Sequence, residues 1–359
     1  MVVFRRVVAL AALAAAMLLL SACERKITRV EVVQEPQNCF DCHSDSPADT
    51  LHLVAARQQW ENSRHASGGT LNENDSSCKN CHTSEGFVAR AAAGLPFTAN
   101  TTGSVENPTS IHCFTCHAPH SDGNFGLRWT AITTLQDGTT ADLGSGNLCA
   151  ACHQSRRNIN TYATATTTLT NRWGPHHSNQ ADLLLGTNGY EYVGYTYETT
   201  NHASATEDGC IDCHMKTTLQ NVVGGHAFNM EWTEGTEEIL NVAACTDCHG
   251  EIDDFNEVTF AGVSLQDSVE VLVGDLRTRL VTAGLVDGTT GLPKSVSTAR
   301  DSAGAVWNYL FVEEDRSKGV HNPKYAIGLL HSAIQYIDGD LPQPAPAHPL
   351  ARAVTPGRN

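Results

Sequence analysis

Six copies of one five-residue pattern, Cys-x-x-Cys-His, take up twelve of the thirteen cysteines in the chain. They are Cys39, Cys42 and His43; Cys78, Cys81 and His82; Cys113, Cys116 and His117; Cys149, Cys152 and His153; Cys210, Cys213 and His214; Cys245, Cys248 and His249. Two thiols three positions apart can form thioethers to the two vinyl groups of one porphyrin. The His that follows then reaches the iron from one face. This is the c-type haem attachment signature. Zinc sites also use Cys-x-x-Cys halves, and thioredoxin-like redox pairs share them. Neither has reason to require a His after every second Cys. The expectation is six covalently held haem c groups, with no motif cysteine left over for a disulfide.

The second axial position of each iron decides between electron carrier and catalyst. Beyond the first 22 residues the only methionines are Met215 and Met230. Met215 directly follows His214, so it cannot reach the opposite face of that residue's own haem. Histidine is abundant, with 17 in all and six of them in the motifs. Bis-histidine ligation follows from supply, and without Met to raise them the potentials should be low. The distal candidates are His65 in QWENSRHAS, His120 and His112 flanking CFTCH, His177 or its neighbour His176 in RWGPHHSNQ, His202, His226 and His321. His112 and His120 stand too near His117 in sequence to cross to the far side of its haem, so either would serve a neighbouring one. His52, His331 and His348 have weaker claims.

These motifs need elements to hold them. Their first cysteines follow at intervals of 39, 35, 36, 61 and 35 residues, so each motif sits on a small local unit and the longest gap carries an insertion. Residues 1–22 read as an export signal, with Arg5 and Arg6 before an apolar stretch and a small-residue site. The site Leu20-Ser21-Ala22-Cys23 resembles a lipobox, which implies lipidation of Cys23 and a tether to a membrane facing the periplasm or the cell surface. A linker spans 23–38, the haem-binding region 39–249, a helical haem-free region 250–340 and a Pro-rich tail 341–359, which should be disordered. In the haem-free region Leu265, Val269, Leu272, Leu276 and Leu280 mark one apolar helical stripe, capped by Ser264 and ended at Gly284. A second helix begins at Asn322 with Pro323 in its first turn and buries Ile327, Leu330, Ile334 and Ile337. The fold class expected is mainly α with extensive irregular loops, organised around a chain of haems, with long C-terminal helices.

Aromatic residues are 6% of the chain and the net charge is −16. So polar a motif region cannot build an ordinary core, and flat apolar macrocycles would replace the missing side chains. Nucleic-acid binding, which needs a basic patch, is excluded. The partners expected are other redox proteins, either cytochromes or quinol-linked donors.

Residues 170–340 resemble the cytochrome c nitrite reductases and the related hydroxylamine-oxidising enzymes. The resemblance runs through CIDCHM, His202, the G-G-H at His226, CTDCH, and G-V-H-N-P at His321, and it implies that His202, His226 and His321 are distal ligands. The segment at His65 is similar to distal-ligand segments of multihaem cytochromes. The nitrite reductases carry five haems, one on Cys-x-x-Cys-Lys, whereas this chain has six motifs that all end in His. Two readings follow. One is an electron relay through closely spaced bis-His haems in anaerobic or extracellular respiration. The other is a reductase of nitrite, hydroxylamine or a similar small oxyanion, with one haem open and Arg156, Tyr162 and His177 around the substrate.

Overall fold

The computed structural model describes residues 53–340, apart from 69–72, 76–77, 97–101, 119–124 and 261. The leader, Cys23, the first motif (Cys39, Cys42, His43), His52, His120 and the tail with His348 lie outside the described residues. From Ala55 onward the chain forms one compact unit. Its regular structure is mainly helical, joined by long irregular loops. Sheet among the described residues amounts to four two-stranded antiparallel ribbons.

Helices α1 (Leu53–Glu61) and α2 (Ser84–Ala92) belong to the motif region. Three longer helices follow the last motif: α3 (Leu265–Thr282), α4 (Arg300–Asp315) and α5 (Pro323–Ile337). Helix α3 starts as its sequence dictates, with the Ser264 hydroxyl accepting the Asp267 N–H, and the five residues of its stripe are buried. Gly284, just beyond its end, takes φ +74°. Helix α5 has Asn322 as its cap and Pro323 in the first turn, where a missing N–H is tolerated. Ile327, Leu330 and Ile334 are buried, and Ile337 is half-buried against the same core.

Helix α4 has no counterpart in the periodicity of the sequence. Ala303 through Val312 are all buried, so the helix is covered on every side and shows no single apolar stripe. Its tightest approach is at Gly304, where a Cβ would lie 2.1 Å from the Tyr190 ring. Tyr190 has no room to retreat, because Asn308 binds both its backbone N–H and its carbonyl.

The main core joins these helices to the insertion between the fourth and fifth motifs, through Ile159, Leu169, Trp173, Leu183, Tyr190 and Tyr192. Around the motifs themselves apolar packing is thin. One small cluster centres on Phe87 and Ala151, and another on Leu135, Ala141, Leu143, Ala150, Ala181 and Leu184.

Buried asparagines hold the irregular chain in place. A loop that leaves solvent must find partners for its backbone groups, and an amide side chain offers both a donor and an acceptor. Asn147 accepts from Leu143 N–H and donates to the Thr130 carbonyl. Asn188 accepts from Ile159 N–H and donates to the Arg157 carbonyl and to Asp182. Asn322 accepts from Thr200 N–H and donates to the Leu184 carbonyl.

Candidate haem-ligand site

Each of the five described motifs places its His opposite a histidine from elsewhere in the chain. His82 faces His176 with ring centres 6.1 Å apart. His153 faces His65 at 6.2 Å, His117 faces His226 at 6.3 Å, His214 faces His321 at 6.2 Å and His249 faces His202 at 6.2 Å. An imidazole nitrogen binds a metal at about 2 Å, so an iron between two such rings holds their centres roughly 6 Å apart. The five spacings fit that requirement. Among the described residues no three His, Cys, Asp or Glu side chains converge as a tetrahedral zinc centre would need. The ten described motif cysteines are free thiols.

The ring tautomers fit as well. A ligating His commonly donates its other N–H to a fixed acceptor, which leaves Nε2 with its lone pair. His117 Nδ1 donates to the Phe125 carbonyl at 2.7 Å, His214 to the Phe228 carbonyl at 2.9 Å and His202 to the Val320 carbonyl at 2.7 Å. His153 uses Gln180 Oε1 at 3.1 Å. His176 uses Ser178 Oγ at 3.0 Å, and that hydroxyl in turn donates to the Gln154 carbonyl. Burial holds His65, His176 and His214 down to about 4, so all three imidazoles are neutral at pH 7, the form a metal needs.

Each distal ring is delivered by a short local device. Trp60 donates to the Ile111 carbonyl and Ser63 caps the turn Arg64–Ser67, which presents His65. Gly224 and Gly225, both with positive φ, precede His226, whose N–H donates to Gln59 of α1. The segment Gly319–Pro323 serves two sites at once. Val320 accepts from His202, His321 faces His214, and Asn322 caps α5.

The sites adjoin one another. The Cys81 and Cys152 thiols lie close enough to shift each other's pKa, and so do those of Cys149 and Cys210. Cys116 is close enough to both cysteines of the Cys149 motif to raise their pKa values. Cys213 is likewise raised, by burial first and then by Cys245, Asp212, Cys210 and Cys248. The motif at Cys149 therefore stands between those at Cys78, Cys113 and Cys210, and the motif at Cys245 adjoins the one at Cys210.

Several sequence-derived candidates fall elsewhere. The ring opposite His82 is His176, not His177. His176 takes φ +80°, which turns it toward His82, while the largely exposed His177 donates to Glu314. His112 caps its own motif by accepting the Phe114 N–H on Nδ1. That tautomer puts the hydrogen on Nε2 and leaves no lone pair there. Arg156, Tyr162 and His177 do not converge on an open site. Arg156 lies near the His82–His176 pair, whose pKa values are lowered by burial first and by Arg156 in addition. Tyr162 stacks on Trp173 with ring centres 5.4 Å apart, and the Arg157 guanidinium lies 5.4 Å from the Tyr162 ring centre.

Three contributors carry no motif that would betray them. Phe228 has φ +60°, its carbonyl fixes His214, and its ring contacts those of both His65 and His226, so it joins three ligand pairs. The C-terminal end of α4 supplies Asp315 to His321 and Glu314 to His177, and its last carbonyls accept from Gln180, the partner of His153. Asp182, fully buried, accepts from Ser155 N–H and from Asn188, tying the loop after His153 to the core.

Burial pushes the Asp182 carboxyl up to about 7, and the hydrogen bonds from Ser155 and Asn188 only partly offset it. A carboxyl whose pKa is raised on folding stabilises the protein below its unfolded value, and that stabilisation is lost as pH rises through the folded value. The window is about pH 4 to 7, and the amount is on the order of 4 kcal/mol at full ionisation. Asp182→Asn mimics the protonated acid. Its urea midpoint is expected to fall less than that of the wild type between pH 4.5 and 7.5, and equal slopes would remove Asp182 as the cause.

No family model matches the chain. No curated protein matches it either. Among solved structures the chain is similar to the outer cell wall cytochrome OcwA, with 18% identity over 78% of this chain and a TM-score of 0.48. The match spans 49% of that cytochrome's length.

Proposed function

We propose that the protein is a multihaem c-type cytochrome that passes electrons along a row of bis-histidine haems. The observation that carries the proposal is the fivefold repetition of a motif histidine facing one other histidine at 6.1–6.3 Å. The haems, when bound, supply one-electron chemistry at iron. The polypeptide fixes their spacing and orientation and tunes their potentials. The close approach of cysteines from different motifs, Cys81 to Cys152 and Cys149 to Cys210, would set the porphyrin attachment edges side by side, as transfer between them requires.

With a second histidine facing each described motif histidine, haems held there would be left no open position, which favours relay over reduction of a small oxyanion. The sixth group belongs to Cys39 and Cys42, with His43 as its proximal ligand. Among the sequence candidates His120 is left to complete that site or a neighbouring one. No described helix is long and apolar enough to cross a membrane, and membrane attachment is assigned to a lipid on Cys23 after export. Redox proteins are the proposed partners, and the chain's net charge of −16 suits those with a basic face.

The test is intact mass and electron paramagnetic resonance on protein made with working haem-attachment machinery. Six haem additions and a spectrum dominated by low-spin ferric iron are expected. Bare thiols would end the proposal, and a high-spin iron at any of the five described pairs would end the relay reading.

A further inference from the structure

One of the five pairs differs from the rest in what stands behind it. The Nδ1 acceptors described for the other pairs are neutral, two backbone carbonyls, one amide and one hydroxyl, and His214 within this pair also uses a backbone carbonyl. Behind His321 stands the carboxylate of Asp315, 2.7 Å from Nδ1, with its side chain wholly out of solvent. Asp315 is the last residue of the 16-residue helix α4, where the helix dipole adds negative potential.

The chain is bent to make this contact. Arg316 and Lys318, both with positive φ, reverse the direction directly after the helix. Ser317 donates its N–H and its hydroxyl to Asp315, and its Oγ accepts the His321 N–H at 3.2 Å. Two left-handed non-glycine residues within three positions are strained, so the turn is held by what it positions.

From this geometry we infer that Asp315 is a positioning residue that gives the haem on Cys210 and Cys213 the lowest potential of the five described. A buried carboxylate draws the Nδ1 proton toward itself and raises the basicity of the coordinating nitrogen. His321 Nε2 then donates more strongly to the metal, which favours the oxidised iron. Asp315 lies wholly out of solvent and the His321 side chain is only 20% exposed, which limits screening of the effect by water. The site lies within the row, with the Cys149 motif on one side and the Cys245 motif on the other. A low-potential step there makes the middle of the chain the point at which transfer slows.

The inference rests on the haem reading above, and its experiment separates the two. Intact mass and the low-spin count are measured first on the wild type and on Asp315→Asn, a near-isosteric change that keeps a neutral acceptor for Nδ1. Both proteins are then titrated with dithionite while the spectrum of each low-spin iron is followed. In Asp315→Asn the lowest-potential wave should move up by at least tenfold in its equilibrium constant, about 59 mV for one electron. One low-spin signal should shift with it while the others stay. Ser317→Ala removes a hydroxyl that competes for the carboxylate and should move the same wave down. If haem loading and low-spin count are intact in both variants and the lowest wave stays put, the inference is overturned and the haem reading stands. Absent haem would overturn both.

Discussion

Made without haem attachment, the full chain is expected to keep α3, α4 and α5 and to lose ordered structure through most of residues 55–155. The reason is where apolar surface is buried. The main core lies in residues 159–197 and 265–337 and includes the fully buried Trp307, Phe311, Leu329 and Leu330. Around the second, third and fourth motifs the buried hydrophobic residues are few and fall into two small clusters. Polar chain with so little to bury does not offset the entropy of ordering it. Each described motif His is also a polar ring placed to face another, as with the His214–His321 pair, and without a metal these rings gain little from being brought together.

The measurement is limited proteolysis with mass identification of the surviving fragment, beside far-UV circular dichroism. Haem-loaded protein should resist cleavage between Ala55 and Ser155. Haem-free protein should be cut there quickly and leave a fragment that begins near Arg156 and contains the three long helices. The expected loss of protection is large, at least a hundredfold in cleavage rate through the motif region. Equal protection in the two forms would mean that the polypeptide alone orders the motifs.

What could be read from the sequence follows from how local each signal is. The motifs are contiguous, so they can be read without tertiary knowledge. Helices α3 and α5 were legible because each has one buried face and a polar cap, at Ser264 and Asn322. Helix α4 was not, because burial on all sides erases the periodicity. The pairing of histidines is set by distance in the fold. His65 and His153 are 88 positions apart and His117 and His226 are 109 apart, and nothing in either local sequence encodes the partner. Asp315 and Phe228 were invisible for a related reason. A carboxylate at a helix end and a phenylalanine in a loop are ordinary residues until the fold puts a histidine ring against them.

The choice between His176 and His177 makes the sharpest contrast. The two are adjacent, and sequence context gives no reason to prefer either. The structure separates them by backbone and by partner. His176 adopts φ +80°, a left-handed conformation that histidine enters more readily than most residues. That places its ring against His82, with Ser178 behind it. His177 points outward to Glu314. His176→Ala is therefore expected to convert one low-spin iron to a high-spin one and open a position for an added ligand such as imidazole or cyanide. His177→Ala should leave every iron low-spin, since His177 is engaged with Glu314 and faces no described motif histidine. The same pair of variants bears on the oxyanion-reductase reading, in which His177 would stand beside an open iron. New nitrite or hydroxylamine turnover in His176→Ala, dependent on His177, would show that the surroundings suit catalysis once the ligand is gone. A high-spin iron in His177→Ala, with His176→Ala still low-spin, would reverse the assignment and return His177 to the axial position.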